Sequence, residues 1–141
     1  MNKNTPSSRL NVPADIPLQV ETIFAGTIRT SYLRIGEGSP VIFLHGGGAG
    51  AVAWHPVIRE ISKFFCAIAP DLVGYGESDK PHALYDRHFF SQWLKDFTDA
   101  LGLKKCVLVG HSLGGAIALQ FALEHPDRIK RLALVCSAAL G

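Results

Sequence analysis

Val107-Leu108-Val109-Gly110-His111-Ser112-Leu113-Gly114-Gly115 is the stretch that decides how this chain folds. Its first three residues are a continuous apolar run of the kind buried on both faces of a sheet. The residues after Ser112 open a helix, expected over 113–123, that is apolar nearly all round (Ala116, Ile117, Leu119, Phe121, Ala122). A strand that becomes a helix within two or three residues passes through strained backbone at the residue between them. Small neighbours at Gly110, Gly114 and Gly115 let the surrounding backbone close in. Ser112, the centre of this G-x-S-x-G, therefore projects its hydroxyl from the top of the sheet. The amide of Leu113, unpaired at a helix N-terminus, faces developing negative charge. A coincidental glycine-rich connection would give the same five letters; the strand before and the helix after favour a nucleophile.

Outward from this stretch, short apolar runs alternate with helical periodicity, the pattern of βαβ units around a parallel sheet. The runs at 41–44, 66–69, 106–109 and 132–135 are continuous, which predicts strands covered on both faces. Trp54, Val57, Ile58 and Ile61 fall at helical spacing, as do Phe90, Trp93, Leu94, Phe97 and Leu101, and predict two covering helices. The helix after Ser112 is expected to be the most buried, and His125-Pro126-Asp127 ends it. Nearer the N-terminus, residues 18–24 and 27–35 are β-rich runs around Ala25-Gly26 and predict an antiparallel hairpin. Residues 1–17, with three prolines, read as an extended tail. The fold class is therefore α/β, a mostly parallel sheet with an N-terminal hairpin and flanking helices, as one domain over 18–141.

A second glycine-rich segment, His45-Gly46-Gly47-Gly48-Ala49-Gly50, follows the run at 41–44. Consecutive glycines leave the amide of Gly47, or of Gly48, free to point at a substrate oxygen. With Leu113, such an amide makes a two-donor oxyanion hole. A phosphate-binding reading of these glycines fails because no G-K-[ST] follows. His45, Gly46, Gly48, Gly110 and Gly114 are read as supporting residues, His45 in a hydrogen-bonded structural role and His111 packed beneath the loop.

Composition narrows the function classes. The 141 residues are 48% hydrophobic and 18% charged with a net charge of +2, and Lys and Arg are scattered. That suits a globular domain and offers no basic stripe for nucleic acid. No run has the length of a signal peptide or a membrane span, so a cytoplasmic protein with a small-molecule substrate is expected. Cys66, Cys106 and Cys136 are an odd set without C-x-x-C spacing, each in or beside an apolar run, and read as buried structural thiols. No metal or organic cofactor is implied.

Taken with 41–44, the segments HGGGAGAVAWHPVI, PDLVGYGESDKP and VLVGHSLGGAIALQFALEHPDRIKRLALV resemble the α/β-hydrolase fold family, in its order and spacing, from about residue 18 to 141. The HGGG loop and GHSLGG turn resemble the subset containing esterases, haloperoxidase-like enzymes and carbon–carbon bond hydrolases. Serine at 112, where aspartate would stand, argues against the family's dehalogenases and epoxide hydrolases. The resemblance implies that the turn holding Asp71, Gly74, Gly76 and Ser78 is structural. It also implies that the acid and histidine of a triad follow the serine, in that order. After Ser112 the only such residues are Glu124, His125 and Asp127, at the far end of the helix that starts at the serine, roughly 20 Å away at 1.5 Å per residue. They cannot be that pair. The expectation is an incomplete hydrolase fold ending after its sixth strand, inactive alone, with that strand an open edge prone to self-association. The alternative is a non-catalytic ligand-binding module on the same fold.

Overall fold

The structure, a computed structural model, describes residues 18–137. The tail expected over 1–17 and the last residues, 138–141, lie outside the described residues. Strands β1 (Gln19–Ala25) and β2 (Ile28–Ile35) form the expected antiparallel hairpin, with Ala25 opposite Ile28 and Gly26, at φ 60°, in the turn. The turn sits one residue later than read from the sequence, because Ala25 extends the first strand and is buried.

Four parallel strands follow: β3 (Pro40–Leu44), β4 (Cys66–Pro70), β5 (Cys106–His111) and β6 (Ile129–Val135). The order across the sheet is β1-β2-β4-β3-β5-β6, with β2 antiparallel to β4. A short 3-10 helix (Ala51–Trp54) leads into α1 (His55–Ile61), α2 (Arg87–Ala100) joins β4 to β5, and α3 (Leu113–Glu124) joins β5 to β6. From β3 the chain steps one way to β4 and then back past β3 to β5. Parallel crossovers keep a right-handed sense, so reversing direction moves the connecting helices to the other face. Accordingly α1 packs with Val41, Phe43, Ala67 and Ala69 on one face, whereas α2 and α3 pack with Ile42, Leu44, Ile68 and Leu108 on the other.

The reversal point falls between β3 and β5, and open α/β sheets bind ligands outside the C-terminal ends of the strands at such a point. The glycine loop after β3 and Ser112 after β5 both stand there.

Several sequence expectations change in detail. Burial on both faces holds for β3 and β4, whereas β5 and β6 alternate, leaving Ala133 and Val135 exposed, because α1 does not extend over them. Val57 is exposed, since the Trp54 spacing bridges two helices of different pitch. In α3 residues 114–118 and Phe121 are buried, but Leu123 at the distal end is exposed. Proline at 126 ends it as expected, opening a 3-10 turn (Pro126–Arg128). Cys66 and Cys106 are buried thiols, the latter pushed up to about 11 by burial, whereas Cys136 lies exposed beyond β6. Among the described residues no helix is long and apolar enough to cross a membrane.

Candidate active site

Ser112 is the bend between β5 and α3, with φ 53° and ψ −116°. Such backbone costs a non-glycine residue roughly 1–3 kcal/mol and persists only where its surroundings over-determine it. Here the Ser112 N–H donates to the Val135 carbonyl at 3.1 Å, and the Ser112 carbonyl accepts from Gly115 at 2.9 Å and Ala116 at 3.1 Å. Cys136, at φ 45°, is the other non-glycine residue with positive φ among those described, at the end of the neighbouring strand. Strain is thus concentrated at the C-terminal edge of the sheet.

The neighbouring glycines are required sterically. A Cβ on Gly110 would come 2.6 Å from the Gly114 carbonyl carbon, and one on Gly114 would come 2.7 Å from the His45 carbonyl oxygen. Both are backbone contacts that no rotamer change relieves, so α3 can reach β3 and β5 this closely only with glycine at these positions.

Ser112 is half-buried and its side chain caps no α3 amide, which leaves the hydroxyl free for chemistry. Leu113 opens the helix, so its amide has no acceptor within it. From the other side comes the glycine loop. Gly46 is buried against the bend: a Cβ there would stand 3.3 Å from Ser112 Cβ and 3.2 Å from His111 Nδ1. Gly47 is exposed, with the Leu113 side chain 3.8 Å and the Tyr75 hydroxyl 3.7 Å from where its Cβ would be. Gly48, at φ 74°, turns the loop back, and Ala49 N–H closes it on the Gly46 carbonyl at 3.2 Å. The structure therefore brings together Ser112, Leu113, Gly46 and Gly47.

His45 is buried beneath this loop. The Leu72 N–H donates to its Nε2 at 3.0 Å, so that nitrogen carries no proton, and Nδ1–H donates to the Gly46 carbonyl at 2.7 Å. Burial holds its pKa below the ordinary 6.5. A neutral imidazole with both nitrogens engaged braces the loop and has no lone pair to offer Ser112. His111 is exposed beside Gly46 rather than packed beneath the loop, because it continues the alternation of β5 onto the uncovered face. Glu124 ends α3, where it bonds His88 and Gln120 far from the serine.

Sequence reasoning did not assign the partners of Asp71. Its carboxylate accepts from Ala51 N–H at 2.8 Å and Glu77 N–H at 3.0 Å, tying the exit of the glycine loop to the turn after β4. Ser78 Oγ donates to the Asp71 carbonyl at 2.7 Å and accepts from Ser31 N–H at 3.0 Å, anchoring the same turn to β2. The sequence signal for this latch was Gly76, where a Cβ would collide with the Asp71 carboxylate. Two surface clefts of about 650 and 570 Å3 lie elsewhere, one lined by Glu21, Arg34, Glu37 and Lys63 and the other by Lys104, Asp127 and Arg128. Neither touches Ser112, and their mixed charges converge on no reactive group. Among the described residues no cluster could hold a metal ion.

Residues 39–140 match the family described as alpha/beta hydrolase fold. The chain belongs to this family. It is similar to 2-hydroxymuconate semialdehyde hydrolase of Pseudomonas sp. (strain CF600), 38% identical over 94% of this chain and 48% of the relative. Among solved structures, it resembles 2-hydroxy-6-oxo-6-phenylhexa-2,4-dienoate hydrolase from Rhodococcus sp. strain RHA1, with TM-score 0.80 and 30% identity over 86% of this chain and 47% of that one. An epoxide hydrolase from Vigna radiata superposes equally well, with TM-score 0.80 and 28% identity over 83% and 39%. The chain thus spans about half the length of the curated relatives it matches. Relatives with different named activities thus share this half of the α/β-hydrolase fold.

Proposed function

We propose that the intact gene product is a serine-nucleophile hydrolase acting on a small carbonyl compound, an ester or an oxo-dienoate of the kind named for its relatives. The observation that carries this reading is Ser112, held at φ 53° at the reversal point of the sheet with Gly46 packed on its Cβ. In the proposed reaction Ser112 Oγ gives up its proton to a general base and attacks the carbonyl carbon. The carbonyl oxygen becomes an oxyanion between the amides of Gly47 and Leu113, which act where charge develops. Collapse expels the leaving group, which takes up a proton, and leaves an acyl-serine that water hydrolyses to the acid. His45 is not the base, because both its nitrogens are engaged. We assign the base and its acid partner to the half of the relatives' length that this chain does not span.

Serine at 112 supports acyl transfer over epoxide or haloalkane opening, for which the family uses an aspartate nucleophile. The test compares the intact gene product and Ser112→Ala on phenyl acetate and on 2-hydroxy-6-oxo-6-phenylhexa-2,4-dienoate. Turnover of at least one substrate, reduced at least a thousand-fold (~10³) by the substitution, is expected. Equal turnover by the two proteins would overturn the reading, and no turnover of either substrate by the wild type would overturn it in favour of a ligand-binding module.

A further inference from the structure

The Tyr75 hydroxyl belongs to no contact that the fold needs. The residue is presented between Gly74 and Gly76, both left-handed at φ 88° and 54°, on the turn that the Asp71 carboxylate latches to the glycine loop. Its backbone is fixed at both ends: Tyr75 N–H donates to the Leu72 carbonyl at 2.8 Å, and its own carbonyl accepts from Ser78 N–H at 3.1 Å. The ring packs edge-on against His45, with centroids 5.6 Å apart and planes at 78°. A phenylalanine would make that contact equally well.

The hydroxyl is therefore the part left to explain. Tyr75 is half-buried, and its oxygen lies 3.7 Å from the position a Gly47 Cβ would take. The Leu113 side chain comes within 3.8 Å of the same point. Among the described residues the hydroxyl forms no hydrogen bond. The hydroxyl is not among the buried polar atoms left without a partner, so it is open to solvent and can exchange water for a substrate oxygen. Here the donor stands where Gly47 and Leu113, the residues assigned to the oxyanion hole, come together.

We propose that Tyr75 is a third oxyanion donor, its O–H directed at the same substrate oxygen as the amides of Gly47 and Leu113. This rests on the serine-hydrolase reading above. The donor is pre-oriented by two left-handed glycines, the Asp71 latch and the His45 ring, so little reorganisation is required when charge develops. A hydroxyl donor also differs from the amides in that one substitution removes it without altering the backbone.

Two measurements on the intact gene product test the proposal. Tyr75→Phe keeps the ring and its packing on His45, and is expected to lower kcat about tenfold with KM within about twofold, the signature of a contact made mainly in the transition state. A purely structural Tyr75 leaves both constants in place in this variant, and that result overturns the proposal. Independently of how the variant folds, a crystal structure of the wild-type protein treated with a phenyl trifluoromethyl ketone shows where the tetrahedral oxygen rests. Tyr75 Oη at hydrogen-bonding distance, about 3 Å, is the expected result, and a separation beyond about 4 Å overturns the inference while leaving the hydrolase reading intact. No adduct on Ser112, together with undiminished turnover by Ser112→Ala, overturns both.

Discussion

On the face of the sheet that carries α2 and α3, Ile42, Leu44 and Leu108 are wholly buried, whereas on the opposite face Val41 and Phe43 are buried but Val107 and Val109 only half-buried, and Ala133 and Val135 are exposed. The residue types are interchangeable between the two faces. What differs is the route of the chain: α2 and α3 both cross the first face, whereas among the described residues the other receives the short 3-10 helix and α1, which reach β3 and β4. An apolar residue in a strand therefore contributes according to the helix above it, and the difference should be measurable.

The largest contrast is expected between adjacent positions of β5. Leu108→Ala should cost about 2–5 kcal/mol in urea melts, the range for emptying a closed core site. Val109→Ala, on the open face, should cost below about 1 kcal/mol. Equal losses would break the comparison. Gly114→Ala sharpens it from the packed side: its methyl would meet the backbone of Leu44 and His45, and a loss of about 1–3 kcal/mol is expected. Gly102→Ala is no control for this, because Gly102 is itself left-handed at φ 71°. Val57→Ser, on the exposed side of α1, is the better one and should change stability by under about 0.5 kcal/mol.

A smaller effect concerns pH. Burial lowers the pKa of His45 in the folded chain, so as pH falls below the ordinary value of 6.5 the unfolded chain binds the proton first and stability declines. The decline should be shallower in His45→Asn than in the wild type across thermal melts from about pH 7.5 to 5.5. An unchanged slope would show that the ring is not held neutral beneath the glycine loop. We also propose that the 141-residue chain alone self-associates through β6, an edge strand whose outer face carries exposed Ala133 and Val135. Its apparent size on gel filtration should rise with concentration, and a monodisperse monomer would contradict this.

Much of this architecture was legible from residue order. Continuous apolar runs, helical spacing and the glycine pattern around Ser112 gave the parallel strands, the amphipathic α2 and the sharp β5–α3 bend, because each is a local requirement. The two unequal faces were not legible, since the run at 132–135 reads the same whether one side or both are covered. The bracing of the glycine loop escaped for a similar reason: Leu72 N–H on His45 and Ala51 N–H on Asp71 join positions 27 and 20 residues apart through backbone atoms, which no residue letter reveals. Tyr75 was hidden in a turn whose glycines drew attention to themselves. His111 was misplaced because the missing cover over β5 decides its exposure.

The central claim, that Ser112 is an activated nucleophile facing main-chain donors, is tested most directly by covalent labelling. The intact gene product is treated with a fluorophosphonate and the modified peptide is located by mass spectrometry. A single adduct on Ser112, absent from Ser112→Ala, is the expected result. Labelling elsewhere, or no labelling of a protein that still turns over phenyl acetate, would contradict the account.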